Sequence, residues 1–326
     1  MADVAKYVGV SRQLVGLVFR NASGVSAKTA EKIRKAADEL GYVPNLAAQS
    51  LRRDGSKYIG VAYHSSHSSS DELIPALYKA ANANGYRLML SVISPNHPEP
   101  KAVDELVGHR CDGLILVASE LSLTKIKGIA NNFPLVSLSR RMNGVRCGVV
   151  TSKGESGVFD SVEHLVKLGH KSITYISTDL MLDNEFRLEG YKEAMTKSKL
   201  KSHVINIEED YMESAGAIAA DRILAMNTKP TAVVCSNDQV ALGLFHTLLK
   251  AGVKVPQQIS IVGFDDTVAK LPFLDLTTVH QDPIELANAA IEDLVARIKG
   301  EKYLADTVLT SAKLVIRSST AKPRSK

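Results

Sequence analysis

The stretch DVAKYVGVSRQLVGLVFR, residues 3–20, holds two short amphipathic segments joined by Gly9-Val10-Ser11. That is the pattern of a helix-turn-helix. Asp3 to Val8 reads as the first helix. Ser11 can accept from the backbone N–H groups of the following turn, so it caps a second helix running to Phe19. On this helix Val15, Val18 and Phe19 share one face, while Arg12, Gly16 and Arg20, joined by Gln13 and Leu17, share the other. The second face is the one free to enter a groove. Ser26 caps a third helix, Ala27 to Leu40, which Gly41 stops.

Charge distribution points the same way. Through Tyr58 the chain carries ten Lys or Arg against five Asp or Glu, whereas the remaining 30 basic and 30 acidic side chains cancel. Phosphate neutralisation supplies most sequence-independent affinity for DNA, so a net charge confined to one small module implies a nucleic-acid partner there. After Gly41-Tyr42-Val43-Pro44, Asn45 caps a short segment, Leu46 to Arg52. Isolated helices shorter than about 12 residues are marginal in water, so this segment needs DNA or a second copy to order it.

From Tyr58 onward short apolar runs alternate with helical patterns. Strands are expected at Ile59–Tyr63, Tyr86–Ile93, Gly113–Val117, Leu135–Ser139, Gly148–Thr151, Ser172–Ser177, His203–Ile207, Ala232–Cys235 and Ile259–Gly263, with a helix around Glu72–Asn84 closed by Gly85. Such alternation means parallel sheets covered by helices on both faces, and there are too many units for one sheet. The expectation is two doubly wound α/β subdomains with a cleft between them. Ligands in such sheets bind beyond the carboxyl ends of the strands.

Composition narrows the function classes. No run of about 18 apolar residues exists, and Met1-Ala2-Asp3-Val4-Ala5-Lys6 lacks the features of a signal peptide, so a cytoplasmic protein is expected. Cys111, Cys147 and Cys235 have no metal-ligand spacing and read as small buried hydrophobes. No cofactor and no metal are expected. Gly154-Glu155-Ser156-Gly157-Val158 fails the nucleophile-elbow pattern at Val158, there is no phosphate-binding loop or dinucleotide fingerprint, and an enzyme is not expected.

Several ordered motifs then acquire a common meaning. Asp3-Val4-Ala5, Gly9-Val10-Ser11, Val25-Ser26, Leu40-Gly41-Tyr42-Val43-Pro44-Asn45, His164-Leu165-Val166-Lys167-Leu168-Gly169-His170, Arg187-Leu188-Glu189-Gly190-Tyr191, Asn237-Asp238-Gln239-Val240-Ala241-Leu242-Gly243 and Val262-Gly263-Phe264-Asp265-Asp266 resemble the LacI/GalR transcription regulators over essentially the full chain. The resemblance implies a homodimer, paired helix-turn-helix heads on a pseudo-palindromic double-stranded DNA operator, hinge helices in the minor groove, and a periplasmic-binding-protein-like core that holds a small, sugar-like effector. The corresponding division is a head over 1–42, a hinge and linker over 43–56, a first core subdomain over 57–152 plus 281–308, and a second over 153–280 plus 309–326. The tail 322–326 has no heptad repeat, so a dimer is expected.

The resemblance also implies roles. Arg12 and Gln13 match base-reading positions; Arg offers a bidentate fork to guanine and Gln to adenine. Leu14, Gly16, Leu17 and Arg20 stand where members often carry Thr, Ser, Arg and Asn, so Leu17 is left to touch a thymine methyl. Ser11, Ser26, Thr29 and Tyr42 complete the DNA-binding set, although a simple N-cap explains Ser26 equally well. Leu51 matches a hinge leucine that wedges between base steps, with Asn45 and Ala48 on the same surface; the alternative for Leu51 is packing on the core. In the core, Arg187 resembles the effector-gripping arginine, and Asn237 and Asp265 its hydroxyl-binding groups, with Asn237 alternatively the N-cap of the helix beginning at Asp238. Tyr211 and Phe264 are candidates for an aromatic face beneath the ligand, Gln281 for a sensor of closure, and Ser139 for a further effector contact. His64 opens a loop, His64-Ser65-Ser66-His67-Ser68-Ser69-Ser70, that either lines the pocket mouth or is simply mobile, and in which members often carry aromatic residues. Repression is expected where the operator overlaps a promoter. The other reading is an effector-independent DNA-binding protein whose core serves only to dimerise.

Overall fold

The structure, a computed structural model, describes the chain apart from residues 20–21, 43–54, 143, 179–182, 209–211, 302–306 and 325–326. The expected hinge segment, with Asn45, Ala48 and Leu51, lies outside the described residues, as do Arg20 and Tyr211. The chain forms two compact units, Met1–Ser56 and Lys57–Lys326.

The first unit contains α1 (Ala2–Val8), α2 (Arg12–Phe19) and α3 (Ala27–Glu39). Gly9 ends α1 with φ 75°, a left-handed conformation that glycine adopts without penalty, and this turns the chain into α2. Val4, Ala5, Val15, Val18, Ile33, Ala36 and Ala37 meet in one small core. The helical period of the sequence thus becomes a buried face on each of three helices.

The second unit contains two six-stranded sheets. The first half of the chain supplies β1 (Tyr58–His64), α4 (Ser70–Ala83), β2 (Arg87–Ile93), α5 (Glu99–Gly108), β3 (Gly113–Val117), α6 (Leu123–Ala130), β4 (Leu135–Leu138) and β5 (Gly148–Ser152). Next come α7 (Gly154–Lys167), β6 (Ile173–Thr178), α8 (Asn184–Lys197), β7 (His203–Ile207), α9 (Glu213–Leu224), β8 (Ala232–Cys235), α10 (Asp238–Lys250), β9 (Ser260–Asp265) and β10 (Thr277–Gln281). The chain then returns through α11 (Pro283–Ile298) to β11 (Thr307–Thr310) and ends near β12 (Ala312–Val315). The first sheet has the order β11-β5-β4-β3-β1-β2 and is parallel throughout; the second runs β12-β10-β9-β8-β6-β7 and is parallel except for the β10–β12 pair. The chain therefore passes between the sheets three times, after Ser152, after Gln281 and after Thr310.

Both faces of each sheet are covered. Leu77 and Ala81 of α4 and Ala287, Ile291 and Leu294 of α11 close one face of the first sheet, and Ala102, Leu106 and Ile126 close the other. In the second sheet α9 and α10 cover one face and α7 and α8 the other. Burial on both faces explains why these strands read as unbroken apolar runs. Strands β10, β11 and β12 escaped the sequence reading because Thr277-Thr278-Val279-His280-Gln281 is mostly polar and the other two are four residues each. Their pairing is supplied by neighbours remote in sequence. Cys111, Cys147 and Cys235 are all buried. Among the described residues no helix is long and apolar enough to cross a membrane.

Helices α9 and α10 approach so closely that a methyl group on Gly216 would overlap the Val240 carbonyl, and one on Gly243 the Glu213 carbonyl. The obstacle is backbone, which cannot swing aside. Gly243→Ala is therefore expected to destabilise the core by about 1–3 kcal/mol, the range for overpacking, without changing its secondary structure; urea denaturation followed by circular dichroism measures both.

Candidate functional site

On the head, the face of α2 opposite the core presents Arg12 and Gln13, both exposed. Ser11 precedes them, and its Oγ accepts from the Leu14 backbone N–H at 3.1 Å. Ser26 caps α3 by accepting from the Thr29 N–H at 3.2 Å, and the two hydroxyls lie 2.8 Å apart. Tyr42 packs edge-on against Phe19, with ring centroids 5.6 Å apart. Two residues assigned to the outward face sit deeper than expected. Gly16 is buried and Leu17 half-buried, because a glycine exposes little beyond its own backbone and the flanking Val15 and Val18 draw this turn against the head core. Leu14 also packs on that core.

In the second unit the parallel strands of both sheets end at a shared cleft of about 1070 Å³, its open mouth included. Ser139 follows β4, Asn237 follows β8, and Asp265 and Gln281 end β9 and β10. Arg187 stands on the first turns of α8, four residues after Asp183. All of these line the cleft. Ser139 and Asp265 have φ of 63° and 115°, conformations that residues with a Cβ seldom adopt, and the strained turns fall at the strand ends.

Arg187 organises the second sheet's side of the site. Its side chain is only 3% exposed. Nη1 donates to the Ser236 carbonyl at 2.6 Å, Nη2 lies 3.9 Å from Asp183 Oδ2 and 4.0 Å from Asp265 Oδ1, and the guanidinium stacks on the Phe264 ring at 3.8 Å. Asp265 Oδ1 accepts from Gln281 Nε2 at 2.6 Å, and Gln281 Oε1 in turn accepts from Ser152 Oγ at 2.6 Å. Gln281 thus links Asp265 to the first sheet at a point where the chain crosses over. The mouth is spanned by a Ser68–Thr267 hydroxyl pair at 2.9 Å and by Lys270 Nζ and Glu72 Oε1 at 3.2 Å.

Phe264 is fully buried beneath Arg187, so it stiffens the guanidinium and offers no face to the cleft; the expected aromatic platform is not formed by this residue. Among the described residues the cleft lining contains no Phe, Tyr or Trp. His64 does not line it either, because its ring stacks on His67, 5.0 Å away, and His67 takes the position at the mouth. Burial, aided by the neighbouring His64, pushes the His67 pKa down to about 4, so the imidazole is neutral at physiological pH. Asn237 Oδ1 caps α10 by accepting from the Val240 N–H at 2.7 Å, as the alternative reading expected, and the residue also lines the cleft.

Sequence reasoning missed Asp183 and Thr267, and Asp238 beneath them; of the 64–70 loop, which it gave as lining the mouth or mobile, His67, Ser68 and Ser69 line the cleft. Asp238 is buried, accepting from Thr278 Oγ1 at 2.6 Å and from the Thr267 N–H at 2.8 Å. Burial, reinforced by Asp265, lifts its carboxyl to about 7; Asp265 itself rises to about 6, again chiefly by burial, with Arg187 opposing. Asp183 is raised by burial against the pull of Arg187. The signal for Asp238 was present, a charged residue followed by an apolar helix, but only tertiary contact shows that it faces inward. Among the described residues no group of three or more His, Cys, Asp or Glu is placed to hold a metal ion.

Comparison with known proteins accords with this geometry. Residues 1–45 match the model for bacterial regulatory proteins of the lacI family, and residues 162–320 that for a periplasmic binding protein-like domain. The chain is 30% identical to the HTH-type transcriptional repressor PurR of Vibrio parahaemolyticus over 98% of both chains, and 32% identical to the lactose operon repressor of Escherichia coli over 98% of this chain and 90% of that one. The crystal structure of the lac repressor dimer bound to operator and the anti-inducer ONPF superposes with a TM-score of 0.85 at 30% identity, covering 98% of each chain. The protein belongs to the LacI family of bacterial regulatory proteins. It is a transcription regulator with a DNA-binding helix-turn-helix head and an effector-binding core.

The raised Asp238 pKa has a thermodynamic consequence. Between the ordinary carboxylate range and about pH 7 the native state binds a proton that the unfolded chain has released, so stability falls as pH rises through this window. Relative to the parent, Asp238→Asn is expected to gain about 2.5–3 kcal/mol of stability between pH 5 and pH 8. Urea titrations of both proteins at the two pH values measure it, and an unchanged difference would mean that the carboxyl ionises normally.

Proposed function

We propose that this protein is a repressor that acts as a homodimer, reading a pseudo-palindromic operator with two α2 helices and releasing or gripping it according to occupancy of the core cleft by a small polar effector. One observation carries the effector part: a cleft bounded by strand ends of both sheets holds buried polar atoms, Arg187 Nε and Asp183 Oδ1, that have no partner among the described residues. Buried polar groups left unpaired cost about 1–3 kcal/mol each, so a site built this way is arranged for a ligand that completes it. This favours the effector-controlled reading over a core that serves dimerisation alone.

On the head, Arg12 and Gln13 supply base contacts, and Ser11, Ser26, Thr29 and Tyr42 position the backbone. The resemblance to family hinges assigns Asn45, Ala48 and Leu51 to the minor groove, with Leu51 the wedge between base steps. In the cleft, Arg187, Asp265, Asn237, Gln281 and Ser139 contact the effector. Because Gln281 ties Asp265 to Ser152 of the other sheet, ligand contact with Asp265 is felt on both sides of the cleft. Control is then the difference in effector affinity between the DNA-bound and free conformations. The protein transforms no substrate, and a chromosomal operator places it in the cytoplasm.

Selection of random duplex DNA by the purified full-length protein tests this reading. The expected product is an enriched pseudo-palindrome whose two halves are related by the dimer axis; sequence-indifferent, salt-sensitive binding would overturn it. On the enriched site, Arg12→Ala or Gln13→Ala is expected to weaken binding by about 5- to 150-fold, the worth of one bidentate base contact, while leaving the melting temperature unchanged.

A further inference from the structure

We infer that the cleft admits a polyhydroxylated ligand free of anionic groups, and that Asp183, by taking a ligand hydrogen at Oδ1, is the residue that excludes anions. The inference rests on the effector reading above and deepens it. Asp183 stands just before α8, lines the cleft and is 7% exposed. Its Oδ2 accepts from Thr151 Oγ1 at 3.2 Å and faces Arg187 Nη2. Its Oδ1 is buried and has no hydrogen-bond partner among the described residues, and Arg187 Nε is in the same condition.

These two atoms set complementary demands. Asp183 Oδ1 needs a donor and Arg187 Nε an acceptor. A hydroxyl group is both, whereas a carboxylate or phosphate can serve only Nε and an ammonium only Oδ1. The charge balance discriminates further. Among the described residues Arg187 contacts Asp183 and Asp265 together, and the second guanidinium that acts on Asp183, Arg141, is itself paired with Glu155, so three carboxylates face two guanidiniums. The other lining guanidinium, Arg140, is directed to the Ser119 and Leu121 carbonyls, each 2.7 Å from Nη1. An anionic ligand drawn to Arg187 would therefore have to sit beside two buried like charges, and like charges in a desolvated site repel strongly. Among the described lining residues the one aromatic ring is His67, whose imidazole stacks on His64, and no Phe, Tyr or Trp offers a flat heterocycle a larger face.

The test is a thermal-shift and calorimetric panel on the full-length protein, using neutral pentoses, hexoses and disaccharides together with the uronic acid, phosphate and amino counterparts of each, and free nucleobases. The expected result is stabilisation by a neutral member, bound at least tenfold more tightly than its uronate or phosphate. Asp183→Asn is expected to reduce that ratio to less than about threefold, and Asp183→Ser does the same if the amide variant is misfolded, while Asp183→Glu retains a preference for the neutral ligand. A uronate or sugar phosphate that binds the parent as tightly as its neutral counterpart, or a ratio unchanged in both Asp183→Asn and Asp183→Ser, overturns the assignment and leaves the effector reading standing. Binding only by a nucleobase overturns it likewise. No binding by any class overturns the effector reading itself and the inference with it.

Discussion

A guanidinium held almost wholly out of water has to be neutralised and hydrogen-bonded, and in this protein the groups that do so come from separate strand ends of one sheet. Phe264 and Asp265 close β9, Ser236 follows β8, and Asp183 stands between β6 and α8, all around Arg187. None of these contacts is local except the i, i+4 pair with Asp183. Removing one partner of a buried charge leaves the other uncompensated, which typically costs about 3–5 kcal/mol. The arrangement of the second sheet and the polarity of the cleft are thus the same fact seen from two sides.

The first sheet is joined to this centre by short polar links and not by a continuous apolar core. Gln281 bridges Asp265 to Ser152, Thr151 reaches Asp183, and Arg141 on the first half pairs with Glu155 at 2.8 Å while its guanidinium stacks on Phe186. Each subdomain has its own hydrophobic clusters, and what spans the cleft is hydrogen bonds and ion pairs. Such contacts can be exchanged for contacts to a ligand at small net cost, whereas separating two interlocked apolar surfaces would be expensive. A cleft that must answer to a small molecule is well served by that division.

The head follows different physics. Its core of seven small or β-branched side chains is just sufficient to fix three helices, and its charge is spent on the outside. Gly16 shows how little room there is. A glycine at a helix interior weakens the helix by about 1 kcal/mol, and here it lies buried between Val15 and Val18 in α2. Arg12 and Gln13, near the start of α2, are the side chains this helix leaves exposed.

Much of this was legible in the order of residues. The helix-turn-helix rests on local rules, a left-handed glycine, a serine cap and a 3.6-residue period, and local rules survive translation from sequence to structure. So do the parallel strands, because burial on both faces writes itself as an apolar run. Arg187, Asn237, Asp265 and Gln281 were picked out by resemblance, and the fold brings them to one cleft. What the sequence could not determine depended on distance. Thr277–Gln281 and the two short strands after it become strands only because neighbours far along the chain offer them hydrogen bonds. Phe264 turned out to support a guanidinium instead of a ligand, since period-2 alternation does not say what occupies the space on either side. Asp183 and Asp238 became chemically distinctive only once tertiary packing removed water from one and aimed the other at a cleft, because desolvation is a property of surroundings and no residue carries it alone.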